Sequence, residues 1–367
     1  MVLACEELLV TTPSTPITPW RQPAEWTLHE ACWTAWPHLA KEWGEHLGPA
    51  RAELVALCGA IVDPDPRTGA ARGEAVRVLV RDESGEASAR KAFAGVPVTF
   101  HRTAFWDIWL RDTGPIFVED ARGRIVALCC AFNGWGGKFM GPEDQGLATR
   151  VAGMAGVPSI DFGFVLEGGA VEVDGEGTCL TTRQCMLNPN RNGPVDEALA
   201  EARLRVALGV EQVIWLDDGL RNDHTDGHVD TLARFVAPGV VVCMEAQHSD
   251  DPNRDALVRV VARLSERRDA QGRKLEVVRI PSPGRVMGDT GDVLPASYTN
   301  FYVGNRVVAV PTYGTRWDEE AVQGLAPWFP GRETVGLSAR AILTGGGAFH
   351  CITQQQPQGP PIPEERS

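Results

Sequence analysis

The feature that most restricts the fold of this chain is a unit that recurs four times. Each copy begins with two strand-like runs, rich in Val, Ile and Thr and separated by turn residues, which is typical of a β-hairpin. The hairpins begin at residues 116, 170, 231 and 300, and each is followed by a run with helical periodicity. In the later copies another strand-like run comes after the helix. One supersecondary unit, repeated at intervals of roughly 60 residues, is therefore predicted.

The two ends of the chain contain the parts of a fifth unit. The segment AILTGGGAFHCITQQ, from residue 341, predicts a hairpin without a following helix, whereas RAELVALCGAIV and AVRVLV near the start predict a helix and a strand without a hairpin. A ring of about five α/β units, closed by the two ends, would remove most free sheet edges. We predict one domain over residues 1–367, with a surface loop at 63–73 and a Pro-rich tail at 356–367.

Composition restricts the class of protein. The chain has 367 residues, of which 43% are hydrophobic, enough for a large buried core. Its apolar runs are of strand length and Met1 precedes no secretion signal, which predicts a cytoplasmic protein with no membrane partner. Nine cysteines without CxxC spacing argue against a disulfide framework or a zinc ribbon. The net charge of −13 disfavours nucleic acid as a partner and favours a cationic small molecule.

Chemically distinctive residues stand before each hairpin. They are Trp109 and Asp112 before the first, Glu167 before the second, His228 and Asp230 before the third, and Asp289 and Asp292 before the fourth. Cys351 lies in the last segment. If the units surround a common axis, these positions converge. Two carboxylates can then bind a planar guanidinium through paired hydrogen bonds and leave its central carbon open to a thiolate.

The glycines at 345–347 distinguish Cys351 from the other cysteines, which we interpret as buried small hydrophobes. Three consecutive glycines are costly in a strand and indicate either a tight backbone or the close approach of a ligand. His350 is the neighbouring candidate base. Adjacent residues of an extended segment point to opposite faces, so a base from elsewhere in the chain is favoured.

The stretch NDHTDGHVD allows three interpretations. One is a metal site, because His224, Asp226, His228 and Asp230 would project to one side of an extended segment. The second is an acid/base His228 beside a carboxylate, Asp230, that binds a cationic substrate. The third is a solvated polar loop. The metal interpretation needs further ligands, and the remaining histidines are not clustered with other ligand types.

Five motifs in order resemble the agmatine deiminases and the related bacterial peptidylarginine deiminases: FWDIWLRDTGPIFV, EGGAVEVDGEGTCLTT, NPNRN, TDGHVDTLARFV and GGGAFHCITQQQP. They extend from residue 105 to 357, and HEACWTAWPH near the start also resembles the family. The resemblance implies a five-bladed α/β propeller of repeated ββαβ modules with pseudo-fivefold symmetry. It also implies catalysis without a metal or a cofactor, and is compatible with a homodimer.

The resemblance also implies a role for each matching residue. Cys351 corresponds to the nucleophile, His228 to the acid/base, and Glu167 to the acid that supports His228. The two carboxylates that hold the guanidinium correspond to Asp112 and Asp230, and Trp109 lines the approach of the substrate. For the ammonium tail of agmatine, the candidate residues are Asp226 and Asp107.

The activity implied is hydrolysis of agmatine to N-carbamoylputrescine and ammonia, through a covalent thiouronium intermediate, in putrescine biosynthesis. The alternative within the same chemistry is a deiminase of peptidyl or free arginine. A metal-dependent hydrolase and a non-catalytic guanidine-binding module are the alternatives from other classes.

Overall fold

A computed structural model describes residues 20–360. The strands of this part of the chain are β1 (Trp20–Arg21), β2 (His29–Ala35), β3 (Ala75–Val80), β4 (Thr99–Arg102), β5 (Ile116–Asp120), β6 (Ile125–Ala131), β7 (Ser159–Val165), β8 (Val171–Val173), β9 (Thr178–Thr182), β10 (Gln212–Leu216), β11 (Ala233–Ala237), β12 (Val240–Glu245), β13 (Glu276–Pro281), β14 (Tyr302–Val303), β15 (Val307–Thr312), β16 (Glu333–Ser338) and β17 (Gln354–Pro357).

The helices of the same part of the chain range from single turns to four turns. They are α1 (Ala40–Trp43), α2 (Leu47–Val62), α3 (Glu83–Ala92), α4 (Leu110–Thr113), α5 (Gly134–Gly137), α6 (Leu147–Ala155), α7 (Arg183–Met186), α8 (Pro189–Asn192), α9 (Glu197–Leu208), α10 (Arg254–Ser265) and α11 (Asp318–Leu325). Within residues 20–360, no helix combines the length and the apolar character that crossing a membrane requires.

The described strands form five separate sheets. Their strand orders are β1-β5-β6-β7, β10-β9-β8, β11-β12-β13, β14-β15-β16 and β17-β2-β3-β4. In the third sheet, β11 and β12 form an antiparallel pair, and β13 returns parallel to β12 after α10. The sheets that contain β5, β8 and β14 follow the same scheme. The predicted hairpin, helix and strand units are confirmed at all four positions, and the fold is mixed α/β.

The fifth sheet joins the two ends of the described chain. β17 pairs antiparallel with β2, and β3 runs parallel to β2 after α2. The prediction that the ends complete one unit is confirmed. The hairpin predicted within residues 341–355 is wrong, because Ile342–Gly345 form a 3₁₀ turn and β17 takes its partner from the start of the chain.

The two predicted irregular segments differ in outcome. Residues 63–73 connect α2 to β3 and most of them are exposed. The tail predicted from residue 356 starts too early, because Gln356 and Pro357 are buried and paired with β2. Residues 361–367 of that predicted tail lie outside the described part of the chain.

In each sheet one turn leads into the first strand, and these five turns meet at a common centre. The first strand of each hairpin is short and buried, and a polar turn leads into it. These turns precede β5, β8, β11, β14 and β17. Most of the chemically distinctive residues lie in these turns.

Candidate active site

Four of the five turns bring the predicted residues together, and the fifth contributes an asparagine. Asp112 lies on α4 before β5, and Glu167 lies before β8. Before β11, His228 directly precedes the 3₁₀ turn Val229–Thr231, and Asp230 lies within it. Cys351 lies before β17, and Asn300 before β14. Asp289 and Asp292, predicted for the fourth position, lie elsewhere: Asp289 is exposed and contacts His46, and Asp292 contacts Thr290.

Asn300 fixes the thiol of Cys351. Its side-chain amide donates to Cys351 Sγ at 3.1 Å, and its Oδ1 accepts from the backbone N–H groups of Ala348, His350 and Cys351. Burial, together with the nearby charges of Asp230 and Asp112, raises the pKa of the Cys351 thiol well above its ordinary value. The thiolate therefore needs a positive charge beside it, which a guanidinium cation would supply.

His228 has two unoccupied ring nitrogens at the centre of the site. Nδ1 lies 3.8 Å from Asp112 Oδ2 and Nε2 lies 3.8 Å from Glu167 Oε2, and neither nitrogen has a hydrogen-bond partner among the described residues. Only 1% of the side chain is exposed. Burial opposes protonation of the ring, but the negative charges around it, with Asp112 foremost, raise the pKa of His228 well above its ordinary value.

Asp112 and Asp230 are both buried, but they have different partners. Asp112 accepts hydrogen bonds from Trp135 Nε1 at 2.9 Å and from the N–H of Gly169 at 3.0 Å, and burial raises its pKa. Asp230 Oδ2 bonds to His350 Nδ1 at 2.7 Å and lies 3.6 Å from Cys351 Sγ. Although burial opposes it, the contact with His350 keeps the pKa of Asp230 below its ordinary value.

Glu167 belongs to a second chain of contacts that leads away from His228. Arg191 donates from Nε to Glu167 Oε1 at 2.6 Å and from Nη1 to Asp226 Oδ2 at 2.7 Å. Asp226 Oδ1 also binds Lys138 Nζ at 2.5 Å. Although burial favours the neutral acid, His228 and Arg191 keep the pKa of Glu167 below its ordinary value. We call Glu167, Arg191, Asp226 and Lys138 the Arg191 network.

A cavity of about 210 Å³ opens onto Cys351 and Asp112. It is lined by aromatic rings, acidic side chains and the backbone of the glycines: Glu42, Trp43, Trp106, Asp107, Trp109, Asp112, Trp135, Phe139, His224, Thr225, Thr344, Gly345, Gly346, Gly347 and Cys351. Among these described lining residues there is no Lys and no Arg. Such a surface attracts a cation by charge and by contact with aromatic faces.

Close packing against Trp109 requires two of the three glycines at residues 345–347. A Cβ on Gly345 or Gly347 would lie 2.6 or 2.8 Å from the Trp109 ring, too close for any side chain. Gly346 has a φ of 106°, which favours glycine. Trp109 in turn stacks on Trp43 with ring centroids 6.1 Å apart. The glycines let the Cys351 segment pass under the aromatic wall of the cavity.

Of the two residues predicted to bind the ammonium tail, one lines the cavity and the other does not. Asp107 lines the cavity and accepts hydrogen bonds from Trp43 Nε1 and Trp109 Nε1, each at 3.0 Å. Burial raises its pKa to about 6. Asp226 is not among the lining residues, because Lys138, Asn190 and Arg191 occupy its carboxylate. These contacts do not favour Asp226 as a direct contact for the tail.

The geometry does not favour the metal interpretation of NDHTDGHVD. The segment is a series of turns with a φ of 65° at Asp226, so its alternate residues do not share one side. Glu167, Cys185 and His228 do offer ligand atoms within 4.8 Å of one another. Arg191 Nε already donates to Glu167 Oε1, however, and of the four residues of the predicted metal site this group contains only His228.

Sequence reasoning missed three residues of the site. Asn300, Trp135 and Arg191 bind predicted residues directly, whereas His350, considered as a base, binds Asp230 instead of Cys351. A signal was present for two of them: Asn300 occupies the turn before β14 that corresponds to the other four turns, and Arg191 lies in the NPNRN motif. Nothing in the local pattern predicts that Trp135, at a φ of 53°, reaches Asp112.

Comparison with known proteins agrees with this arrangement. The profile of the family described as Porphyromonas-type peptidyl-arginine deiminase matches residues 21–357. The agmatine deiminase of Pseudomonas aeruginosa (strain LESB58) is 38% identical, over 92% of this chain and 95% of its own, and that of Stutzerimonas stutzeri (strain A1501) is 37% identical, over 91% and 95%.

A solved structure extends the likeness to three dimensions. The structure of the agmatine deiminase of Enterococcus faecalis superimposes with a TM-score of 0.86 at 32% identity, over 95% of this chain and 99% of the other. This chain belongs to the Porphyromonas-type peptidyl-arginine deiminase family, which is shown by the match over residues 21–357.

Proposed function

We propose that this protein is an agmatine deiminase, a hydrolase that converts agmatine to N-carbamoylputrescine and ammonia. The observation that carries the proposal is that Cys351 and Asp112 line a cavity suited to a cation, with Asp230 beside Cys351 and His228 beside Asp112. Similarity to proteins named agmatine deiminase supports the same activity. A place in putrescine biosynthesis follows from the product.

In the proposed first half of the reaction, the sulfur of Cys351 forms a bond to the guanidinium carbon and ammonia is released. Asp230 and Asp112 hold the nitrogens of the cation, whose charge favours loss of the Cys351 thiol proton to solvent and so formation of the thiolate. The thiolate attacks the central carbon and forms a C–S bond. His228, protonated at rest, gives its proton to the departing nitrogen, the C–N bond breaks, and ammonia leaves. The product of this half is a covalent S-alkylthiouronium on Cys351.

In the proposed second half, water replaces sulfur. The now neutral His228 takes a proton from a water molecule, whose oxygen attacks the thiouronium carbon. The C–S bond then breaks, the ureido product leaves, and Cys351 and His228 return to their starting protonation. Glu167 supports the proton transfers by its charge beside His228 Nε2.

The lining of the cavity favours agmatine over arginine. Agmatine has an ammonium tail, for which Asp107 and the rings of Trp43 and Trp106 are suited, with Trp109 lining the approach. Free arginine has a carboxylate, which usually requires Arg, Lys or several N–H donors. The described lining residues include neither Arg nor Lys. The deiminase of peptidyl or free arginine is therefore the second candidate.

The proposed architecture is a five-bladed α/β propeller with pseudo-fivefold symmetry over a single catalytic domain. Five similar sheets, whose equivalent turns contribute to one site, support it. We further propose a homodimer in the cytoplasm that acts without a cofactor. Light scattering would measure the molar mass in solution, and cell fractionation would test the location.

The deciding experiment measures ammonia release from agmatine, free arginine and a peptidylarginine in parallel. We expect agmatine to have the highest kcat/KM by at least about a hundredfold, about 2.7 kcal/mol. A higher value for either arginine substrate would replace the proposal with the second candidate. Activity that disappears with a chelator and returns with metal would favour the metal-dependent hydrolase, and binding of agmatine without ammonia release would leave a binding module.

A further inference from the structure

His350 directly precedes Cys351, but its ring lies behind the cavity and not in it. Its Nδ1 is 2.7 Å from Asp230 Oδ2, and its Nε2 is 2.7 Å from Glu25 Oε1. The side chain is 1% exposed. The ring therefore bridges two buried carboxylates, one at the reacting centre and one on its far side.

The donors and acceptors of this bridge restrict the state of the ring. An ionised carboxylate only accepts hydrogen bonds, so a histidine between two ionised carboxylates donates from both of its nitrogens. The two short contacts are then charge-assisted, which makes them stronger and more directional than neutral hydrogen bonds. His350 can hold Asp230 in one orientation as long as Glu25 holds His350.

Glu25 is itself held by arginines. Its Oε1 also accepts from Arg111 Nη1 at 3.2 Å, and its Oε2 binds the guanidinium of Arg234. Arg234 donates from Nε to Glu172 at 2.7 Å. Although burial opposes ionisation, Arg234, His350 and Arg111 keep the pKa of Glu25 well below its ordinary value. We call Glu25, His350, Arg111, Arg234 and Glu172 the Glu25 network.

The effect of the bridge is visible on Asp230. Its Oδ2 is occupied by His350, whereas its Oδ1 is buried and has no hydrogen-bond partner among the described residues. Asp112 differs, because both of its oxygens already accept from neutral donors, Trp135 and Gly169. A buried, ionised oxygen without a partner is costly and calls for a donor. The guanidinium of the substrate would supply that donor.

We propose that His350, anchored by Glu25, is a positioning residue that orients Asp230 and leaves one of its oxygens free to receive the guanidinium. The inference rests on the proposed function, since it concerns the binding of the same cation. His350 touches neither the substrate nor the reacting atoms in this role. It acts through Asp230.

Two substitutions of similar size separate the two contacts of the ring. In His350→Asn the amide nitrogen can take the place of Nδ1, which keeps the donor to Asp230 and loses the contact with Glu25. In His350→Gln the longer side chain reaches the place of Nε2, which keeps Glu25 and loses Asp230. Steady-state kinetics with agmatine and thermal unfolding are measured for both variants and for the wild type.

We expect His350→Gln to raise KM for agmatine about tenfold, the loss of one charge-assisted contact, and to change kcat less than KM. His350→Asn keeps the donor to Asp230 but loses the anchor, so it should raise KM less, by about threefold. A merely structural role predicts lower unfolding temperatures for both variants with no such difference in KM. Equal KM values in the two variants would overturn the proposal.

The controls separate this inference from the proposed function. If the wild type releases no ammonia from agmatine, the proposed function fails whatever the variants do. If the wild type is active and both variants match it, only the role of His350 fails. Should neither variant fold, Glu25→Gln is used for the same comparison; a raised KM for agmatine supports the inference, and an unchanged KM contradicts it.

Discussion

The Arg191 network and the Glu25 network support opposite sides of the same site, and they differ in their exposure. The Glu25 network is buried throughout, with Arg234 at 0% and Glu25 at 9% side-chain exposure. The Arg191 network begins at buried Glu167 but ends at Lys138, whose side chain is 35% exposed. In the proposed reaction, the first network orients the carboxylate that would bind the cation, and the second adjoins the histidine that would transfer protons. The support proposed for binding is therefore buried, and the support proposed for proton transfer is partly exposed.

The substitution with the largest expected effect removes the thiol of Cys351, which belongs to the site that both networks support. Cys351→Ala should lower kcat by more than about a thousandfold, because no other described thiol adjoins Asp112 and Asp230, while the affinity for agmatine is retained. The matched control is Cys130→Ala, a partly buried cysteine of β6 outside the cavity. Ammonia release and calorimetric binding are the measurements. Wild-type turnover in Cys351→Ala would remove the nucleophile from the proposal.

The second test separates the two networks by their kinetic effects. Glu167→Gln keeps the volume of the side chain but removes the charge beside His228 Nε2. We expect kcat to fall about ten- to a hundredfold with KM changed by less than about threefold, since an acid/base residue is affected rather than a binding group. His350→Gln should show the opposite division. A rise in KM as the main effect of Glu167→Gln would mean that the two supports are not specialised.

The third test measures how KM for agmatine depends on pH, in order to examine Asp107 at the entrance of the cavity. With a pKa of about 6, Asp107 is ionised above that pH and attracts the ammonium tail; it becomes neutral as the pH falls, whereas agmatine stays fully cationic. KM for agmatine should therefore rise several-fold between pH 7.5 and pH 5. In Asp107→Asn, KM should already be high at pH 7.5, and the two proteins should converge at pH 5. A parallel pH dependence in both would exclude Asp107.

The smallest expected effect belongs to the outer end of the Arg191 network. Asp226→Asn weakens the contact with partly exposed Lys138 and the contact with buried Arg191, which keeps Glu167 as a partner, and should cost about 1 kcal/mol of stability. KM for agmatine should stay within about twofold of the wild type. The measurements are thermal unfolding and steady-state kinetics. A tenfold rise in KM would restore Asp226 as a contact of the substrate tail.

The sequence predicted what depends on local pattern and repetition. Alternating apolar residues and turn residues predicted the four hairpins, and their equivalent turns predicted that Cys351, His228, Asp112 and Asp230 would converge. It could not predict which charged residues pair across long distances. Asp226 was assigned to the substrate because its pairing with Lys138 and Arg191, 88 and 35 residues away, has no local signature. The bridge from His350 to Glu25 spans 325 residues.

The pairing of β17 with β2 has a consequence for the order in which the protein folds. Trp33 and Gln356, which are hydrogen-bonded across this pair, are separated by 323 residues, so the sheet closes a very large loop and is expected to form late in folding. Cys351 lies just before that final strand. During synthesis on the ribosome, the chain would already contain Asp112, His228 and Asp230 but not yet the thiol of Cys351. The complete site would therefore form only when the last sheet forms.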